Sequence, residues 1–145
     1  MRLNRILTAH VLIVDAKTSE YLLSRRQHTG FRDGMLSVVG GHVEDTESPV
    51  DCAIREAKEE VGVNLNTSDL GFAYVLDRIE GDERIDFFFE VRLDKQQVNN
   101  LEPEKCSELK WVDPHQLPHD VIPYIKQAID GHLEGSYFGV YREED

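Results

Sequence analysis

The stretch SPVDCAIREAKEEVG, from Ser48 to Gly62, constrains this chain most, because a helix start, a buried stripe and a helix stop follow one another without interruption. Ser48 is a good N-cap, and Pro49 suits the first helical position, where its missing N–H costs nothing. Asp51 stands where an acidic side chain completes a capping box. Val50, Ala53, Ala57 and Val61, with Ile54, recur at helical spacing and predict the buried stripe. Gly62 supplies a left-handed stop. Glu56, Glu59 and Glu60 are expected beside that stripe, at its solvent edge. Like charges three or four residues apart on a helix repel by roughly a few tenths of a kcal/mol per pair. Lys58 and Arg55 are offset around the helix, so no local relief of that repulsion is expected.

The flanking segments read as strands. Arg5–Asp15 and Tyr21–Gln27 form one hairpin, and Leu70–Arg78 and Arg84–Leu93 form another around IEGDE. In the last of these runs Ile85, Phe87, Phe89 and Val91 share one face, while Asp86, Phe88 and Glu90 share the other. MLSVVGG is a short extended segment ending at Gly40 and Gly41, and Glu108–Asp113 is a short strand with Trp111 as core. A C-terminal helix starts at Pro123 and ends at Gly131. Hairpins interspersed with helices imply an α/β fold, a mixed sheet covered on both faces. At 145 residues, with no linker or repeat, residues 1–145 are expected to form a single domain.

The formal net charge of −12 argues against binding a nucleic acid polymer or an anionic membrane surface. No apolar run approaches the ~20 residues of a membrane span. The N-terminal apolar segment is short, β-branched and without a small-residue cleavage site, so it reads as a strand rather than a leader. Cys52 and Cys106 are too few for a disulfide framework or a zinc site, so a cytoplasmic, reduced location is the expectation. An acidic chain binds a polyanion only with a cation between them. Carboxylates held on a rigid helix suit a hard divalent ion, which takes oxygen ligands and neutralises phosphate.

The run from Gly41 to Val63 resembles the Nudix box, G-x5-E-x7-R-E-U-x-E-E-x-G-U with U aliphatic. Gly41, Glu47, Arg55, Glu56, Glu59, Glu60, Gly62 and Val63 stand at the required spacings, and Ala57 is a small departure at the first aliphatic position. A second departure is Val39, where many members have proline before the paired glycines. The resemblance implies a Nudix-type α/β/α sandwich. It implies Mg²⁺ (or Mn²⁺) held by Glu56, Glu59 and Glu60 with the Gly41 carbonyl, and Glu47 paired with Arg55 to lock the loop onto the helix. It further implies water attack on a pyrophosphate phosphorus, with Glu59, Glu60 or a carboxylate from elsewhere as general base. Glu104 is the first choice for that further acid, ahead of Glu102 and Glu108.

Basic residues before the box are candidates for substrate phosphates. Strand alternation puts Arg25 and Arg26 on opposite faces, and Arg26 and His28 are taken as the ligands. Phe88 is taken as the surface that stacks a nucleobase, although core packing is the ordinary role of Phe31, Tyr74 and Phe88. His10 reads as a satisfied, partly buried histidine, and Cys106 as a small semi-buried residue. The resulting expectation is hydrolysis of a nucleoside triphosphate to the monophosphate and pyrophosphate. The alternatives are ADP-ribose, nucleotide sugars or dinucleoside polyphosphates as substrates, a nucleotide-sensing module, or a diphosphate isomerase with a cysteine in the pocket. The specificity loops are expected at Gln27–Met35 and Asp77–Arg84, and the hairpin edges allow a homodimer.

Overall fold

A computed structural model describes residues 1–143. Its spine is β1 (Ile6–Asp15), whose aliphatic run is buried on both faces. Ala9, Val11 and Ile13 point to one layer, and Leu12 and Val14 to the other. β2 (Tyr21–Arg26), β3 (Leu36–Ser37) and β4 (Val39–His42) follow, then helix α1 (Pro49–Val61). The long hairpin β5 (Gly71–Glu80) and β6 (Asp82–Leu93) leads to β7 (Cys106–Val112), helix α2 (Pro123–Leu133) and β8 (Phe138–Arg142). The strands form one mixed sheet in the order β3-β2-β1-β6-β5-β8, with β4 paired to β1 and β7 to β2. β1 and β6 run parallel from Ile6↔Arg84 to Asp15↔Leu93.

Alternation along β6 feeds both layers. Phe89 and Val91 pack with Ala53, Ala57 and Val61 of α1, whereas Phe88 packs with Leu76, Ile125 and Ile129 on the α2 side. Phe88 is wholly buried, which corrects its assignment as a stacking surface for substrate: a sheet covered on both faces leaves that position to the core. Trp111 is only partly buried, at the rim of the α1 layer, with the Lys95 ammonium 5.4 Å from its ring.

α1 is bounded as its sequence dictates. Ser48 and Asp51 form the reciprocal capping box, and Gly62 ends the helix at φ 74°. The stripe differs in detail: Cys52 joins Ala53, Ala57 and Val61 as fully buried, while Val50 and Ile54 are only partly so. These small residues let α1 lie close to β4, where the Cys52 thiol donates to the His42 carbonyl at 3.4 Å. The β5–β6 turn is tighter than expected, reduced to Gly81 at φ 74°. α2 passes through Gly131 and ends at Leu133. Gly131 is there for space: a Cβ would stand 2.6 Å from Tyr74 Cε1, and one on Gly139 of β8 would stand 2.0 Å from Tyr74 Oη. Strand β8 was not anticipated from the sequence.

Candidate metal and phosphate site

The site begins with two glycines on β4. A Cβ on Gly41 would lie 2.4 Å from Glu56 Oε1, and one on Gly40 would lie 2.4 Å from His10 Nδ1. The bare backbone at Gly41 lets α1 bring Glu56 against the strand, and that at Gly40 lets β4 lie against His10 and Ala9 of β1. Glu60 turns inward rather than to solvent, and its Oε2 accepts the Gly40 N–H at 3.1 Å. Burial first, then a hydrogen bond and the charge of Glu56, push the Glu60 carboxyl pKa well above the usual range. Glu59 is half-exposed and Glu56 is largely covered. The expected solvent edge is therefore a wall that closes on one side.

Arg55 corrects the expectation of unrelieved repulsion. Its Nε and Nη2 donate to the two oxygens of Glu47 at 2.6 and 3.0 Å, and Nη2 also donates to the His42 carbonyl at 3.1 Å. Nη1 then reaches Glu56 at 2.8 Å and Glu59 at 3.3 Å. The guanidinium holds the Glu47 carboxyl below the ordinary carboxylate pKa. Glu47 also accepts the Glu44 N–H at 2.9 Å, so the ion pair fastens the loop before α1 to the helix. Backbone spacing placed Arg55 off the cluster, but its long side chain bends back across it.

These carboxylates open on a cavity of about 500 Å³. Arg26 and His28 line it. Arg26 is held by its own loop, donating from Nε to the Phe31 carbonyl at 2.7 Å and from Nη2 to Thr29 Oγ1 at 2.9 Å. Arg25 leaves on the other face toward Glu108 and Asp120, in keeping with strand alternation. Glu104 does not line the cavity, and Glu102 does. The turn at Asn100, whose Oδ1 accepts the Glu102 N–H at 3.1 Å, brings Glu102 round to the wall. Burial is the main reason that the Glu102 carboxyl pKa is raised. Lys105 also lines the cavity and was missed; within EPEKC it reads as one more charge in a solvated loop. Cys106 is there too, but burial raises its thiol pKa, the wrong direction for a nucleophile. Cys52 is buried, its thiol pushed up to about 12.

The carboxylates of Glu56, Glu59 and Glu60 that line the cavity are hard oxygen donors, whereas Gly41 does not line it and its carbonyl accepts the Cys52 thiol at 3.6 Å. The recess over Glu56 exists only because Gly41 has no side chain. Both features fit a divalent cation. Among the described residues no group of three His, Cys, Asp or Glu side chains converges as a ready-made metal cluster, and the Arg55 guanidinium supplies the positive charge between Glu56 and Glu59.

A second cavity of about 510 Å³ adjoins the first, sharing Arg26, Thr29, Val38 and Gly40 with it. Phe31 comes from the Gln27–Met35 loop, and Arg78, Glu80, Gly81 and Asp82 come from the Asp77–Arg84 hairpin. His10 and Tyr124 close its deep side. His10 is more buried than expected and not fully satisfied: its ring stacks on Phe88 at 4.7 Å, and its Nδ1 has no hydrogen-bond partner.

The NUDIX domain family model matches residues 4–130, so the chain belongs to the Nudix family, whose hydrolases act on phosphoric anhydride bonds with a divalent metal. It is 27% identical over 125 residues to a Bacillus subtilis (strain 168) protein named "Putative 8-oxo-dGTP diphosphatase", covering 86% of this chain and 78% of that one. Its fold is similar to that of a MutT protein from Methanosarcina mazei Go1, with a TM-score of 0.79 at 21% identity over 92% of this chain and 98% of that one. It is also similar to the E. coli dihydroneopterin triphosphate pyrophosphohydrolase, with a TM-score of 0.69 at 21% identity over 90% and 96%. At such identities the structural likenesses speak for the fold alone. No helix among the described residues is long and apolar enough to cross a membrane.

Proposed function

We propose that this chain, acting as one domain, is a Mg²⁺-dependent pyrophosphohydrolase that converts a nucleoside triphosphate to its monophosphate and pyrophosphate. The observation that carries the reading is the buried Glu60 beside Glu56, two carboxylates pressed together under the side-chain-free strand at Gly40 and Gly41. A chain gains nothing in stability from that contact, and a bound cation gives it a purpose. Glu56, Glu59 and Glu60 would hold Mg²⁺, or Mn²⁺ in its place. A divalent cation bound there neutralises phosphate charge and lowers the pKa of coordinated water.

The protein's own residues do the rest. Arg55 and Glu47 keep the ligand loop in register. Glu59 or Glu60 takes the proton from the attacking water, and Glu102 stands on the same wall as a further acid. Arg26, His28 and Lys105 meet the remaining phosphate charge by charge-assisted contacts. The neighbouring cavity takes the group attached to the phosphate chain. The similarity to a protein named for 8-oxo-dGTP supports a purine nucleoside triphosphate. A cytoplasmic site of action agrees with two free cysteines and a net charge of −12.

The test is a nucleotide panel with Mg²⁺, read by pyrophosphate and phosphate release. Pyrophosphate from triphosphates, abolished by chelation, is the expected outcome. Release only from ADP-ribose, nucleotide sugars or dinucleoside polyphosphates would move the substrate class. Tight nucleotide binding with no turnover across the panel would replace the enzyme with a sensor.

A further inference from the structure

A second group of charges is buried away from the box: Arg78 and Glu80 line the second cavity, and Asp86 lies behind Arg78. Asp86 is 0% exposed, Arg78 3% and Glu80 7%. Burying ions is costly, and apolar residues of the same shape often serve stability as well. A network of this kind beside a cavity therefore calls for a reason in binding.

Asp86 has a full set of partners. It accepts Arg78 Nε at 2.7 Å and Nη2 at 3.1 Å, the Thr8 hydroxyl, and His10 Nε2 at 3.4 Å. Burial pushes its pKa up, but the hydrogen bonds from His10 and Arg78 outweigh burial and hold it well below the usual range. Arg78 is thereby fixed along one edge, and the Tyr124 ring lies 3.6 Å from its Cζ, which sets its plane. Its Nη1 has only a long contact, to Glu80 at 3.4 Å. Each terminal nitrogen of a guanidinium carries a pair of N–H groups. One on each is left without a protein partner, in a side chain that lines the cavity. His10 adds rigidity rather than a contact for ligand: its Nδ1 is partnerless but sealed beneath Gly40, and its ring is stacked on Phe88 at 4.7 Å.

We propose that Arg78 is a specificity-determining residue, its unspent N–H pair reading the O6 and N7 edge of a keto purine, guanine or hypoxanthine, in the second cavity. This rests on the nucleoside triphosphate reading above and narrows it to keto purines whose N7 is unprotonated, because a purine oxidised at C8 carries N7–H and would offer Arg78 only O6. An arginine offers donors only and stays charged. O6 and N7 of a keto purine are adjacent acceptors that match its fork, whereas adenine sets an amino donor against it. The phosphates of the same nucleotide reach the carboxylate site past Gly40, which borders both cavities.

Two measurements test this. In metal-free wild-type protein labelled with ¹⁵N-arginine, GMP and IMP should shift the Arg78 side-chain resonances and AMP should not; equal shifts with AMP, or none with GMP, overturn the proposal. In steady-state hydrolysis, kcat/KM for GTP and ITP should exceed that for ATP by about tenfold or more. Arg78→Lys keeps the charge beside Asp86 but loses the fork, and should reduce that ratio to within about twofold, chiefly through KM. A ratio near one in the wild type, or an undiminished ratio in the variant, overturns it. Should no nucleotide be hydrolysed, the hydrolase reading falls alone, because the titration still decides what Arg78 reads. It decides equally if Arg78→Lys fails to fold.

Discussion

Glu60 and Asp86 are both buried carboxylates, and the fold holds them in opposite states. Glu60 faces Glu56, has one backbone N–H for support, and resists ionisation. Asp86 is surrounded by an arginine, a histidine and a hydroxyl, and resists protonation. The first leaves folding short of a counter-charge, and so is prepared for one from outside. The second is complete and serves as a mount, aiming the guanidinium attached to it. Burial and acidity alone do not tell a ligand from a fixture; the partners do.

The difference should break most visibly at Asp86. Asp86→Ala strands Arg78 in the interior and should cost about 3–5 kcal/mol, a Tm fall on the order of 10 °C by calorimetry. Glu60→Gln should do the reverse in chelator, raising Tm by removing a crowded carboxyl, while lowering the Mg²⁺-supported rate more than about a hundredfold. Variants that shifted Tm in the same direction would erase the contrast between the two sites. Arg55→Lys should lower activity about ten- to hundredfold, partly restored by excess metal, because a lysine cannot grip Glu47 at two points and reach Glu56 as well. The Glu90–His132 pair, 2.6 Å apart between β6 and α2, gives the scale of an ordinary ion pair. Glu90 raises the His132 pKa above 6.5, and His132 lowers that of Glu90 below 4.5. Its contribution is therefore present between those two values, and is lost as pH rises through the raised histidine pKa or falls through the depressed glutamate pKa. His132→Asn should cost no more than about 1 kcal/mol in urea melts at pH 5.5, and less at pH 8.5.

Local rules made α1 legible: Ser48, Pro49, Asp51 and Gly62 each act within a turn of their own position. The box glutamates were legible for the same reason, as residue types at fixed spacing on one helix. Legibility failed where a partner lies far along the chain. Gly131 reads as a helix stop until Tyr74 of β5 is seen to occupy the space its side chain would fill. Phe88 reads as available for stacking until α2 covers it. Arg55 reads as pointing away from the cluster by backbone angle alone, yet its long side chain reaches back to Glu56 and Glu59. Glu104 and Glu102 cannot be separated by composition, since the turn at Asn100 decides which of them meets the cavity. The Arg78–Asp86 network has no local signature at all: it joins residues on adjacent strands, and each alone reads as a surface charge.

Between the carboxylate cavity and its neighbour there is, at residue 40, only main chain. Any side chain there would strike His10 or the Ala9 carbonyl, so the threshold cannot be narrowed by ordinary variation in sequence. If the second cavity selects the base as proposed, a change of preference would have to come from the far walls, from what Arg78, Phe31 or Tyr124 present, while the passage itself stays the same width.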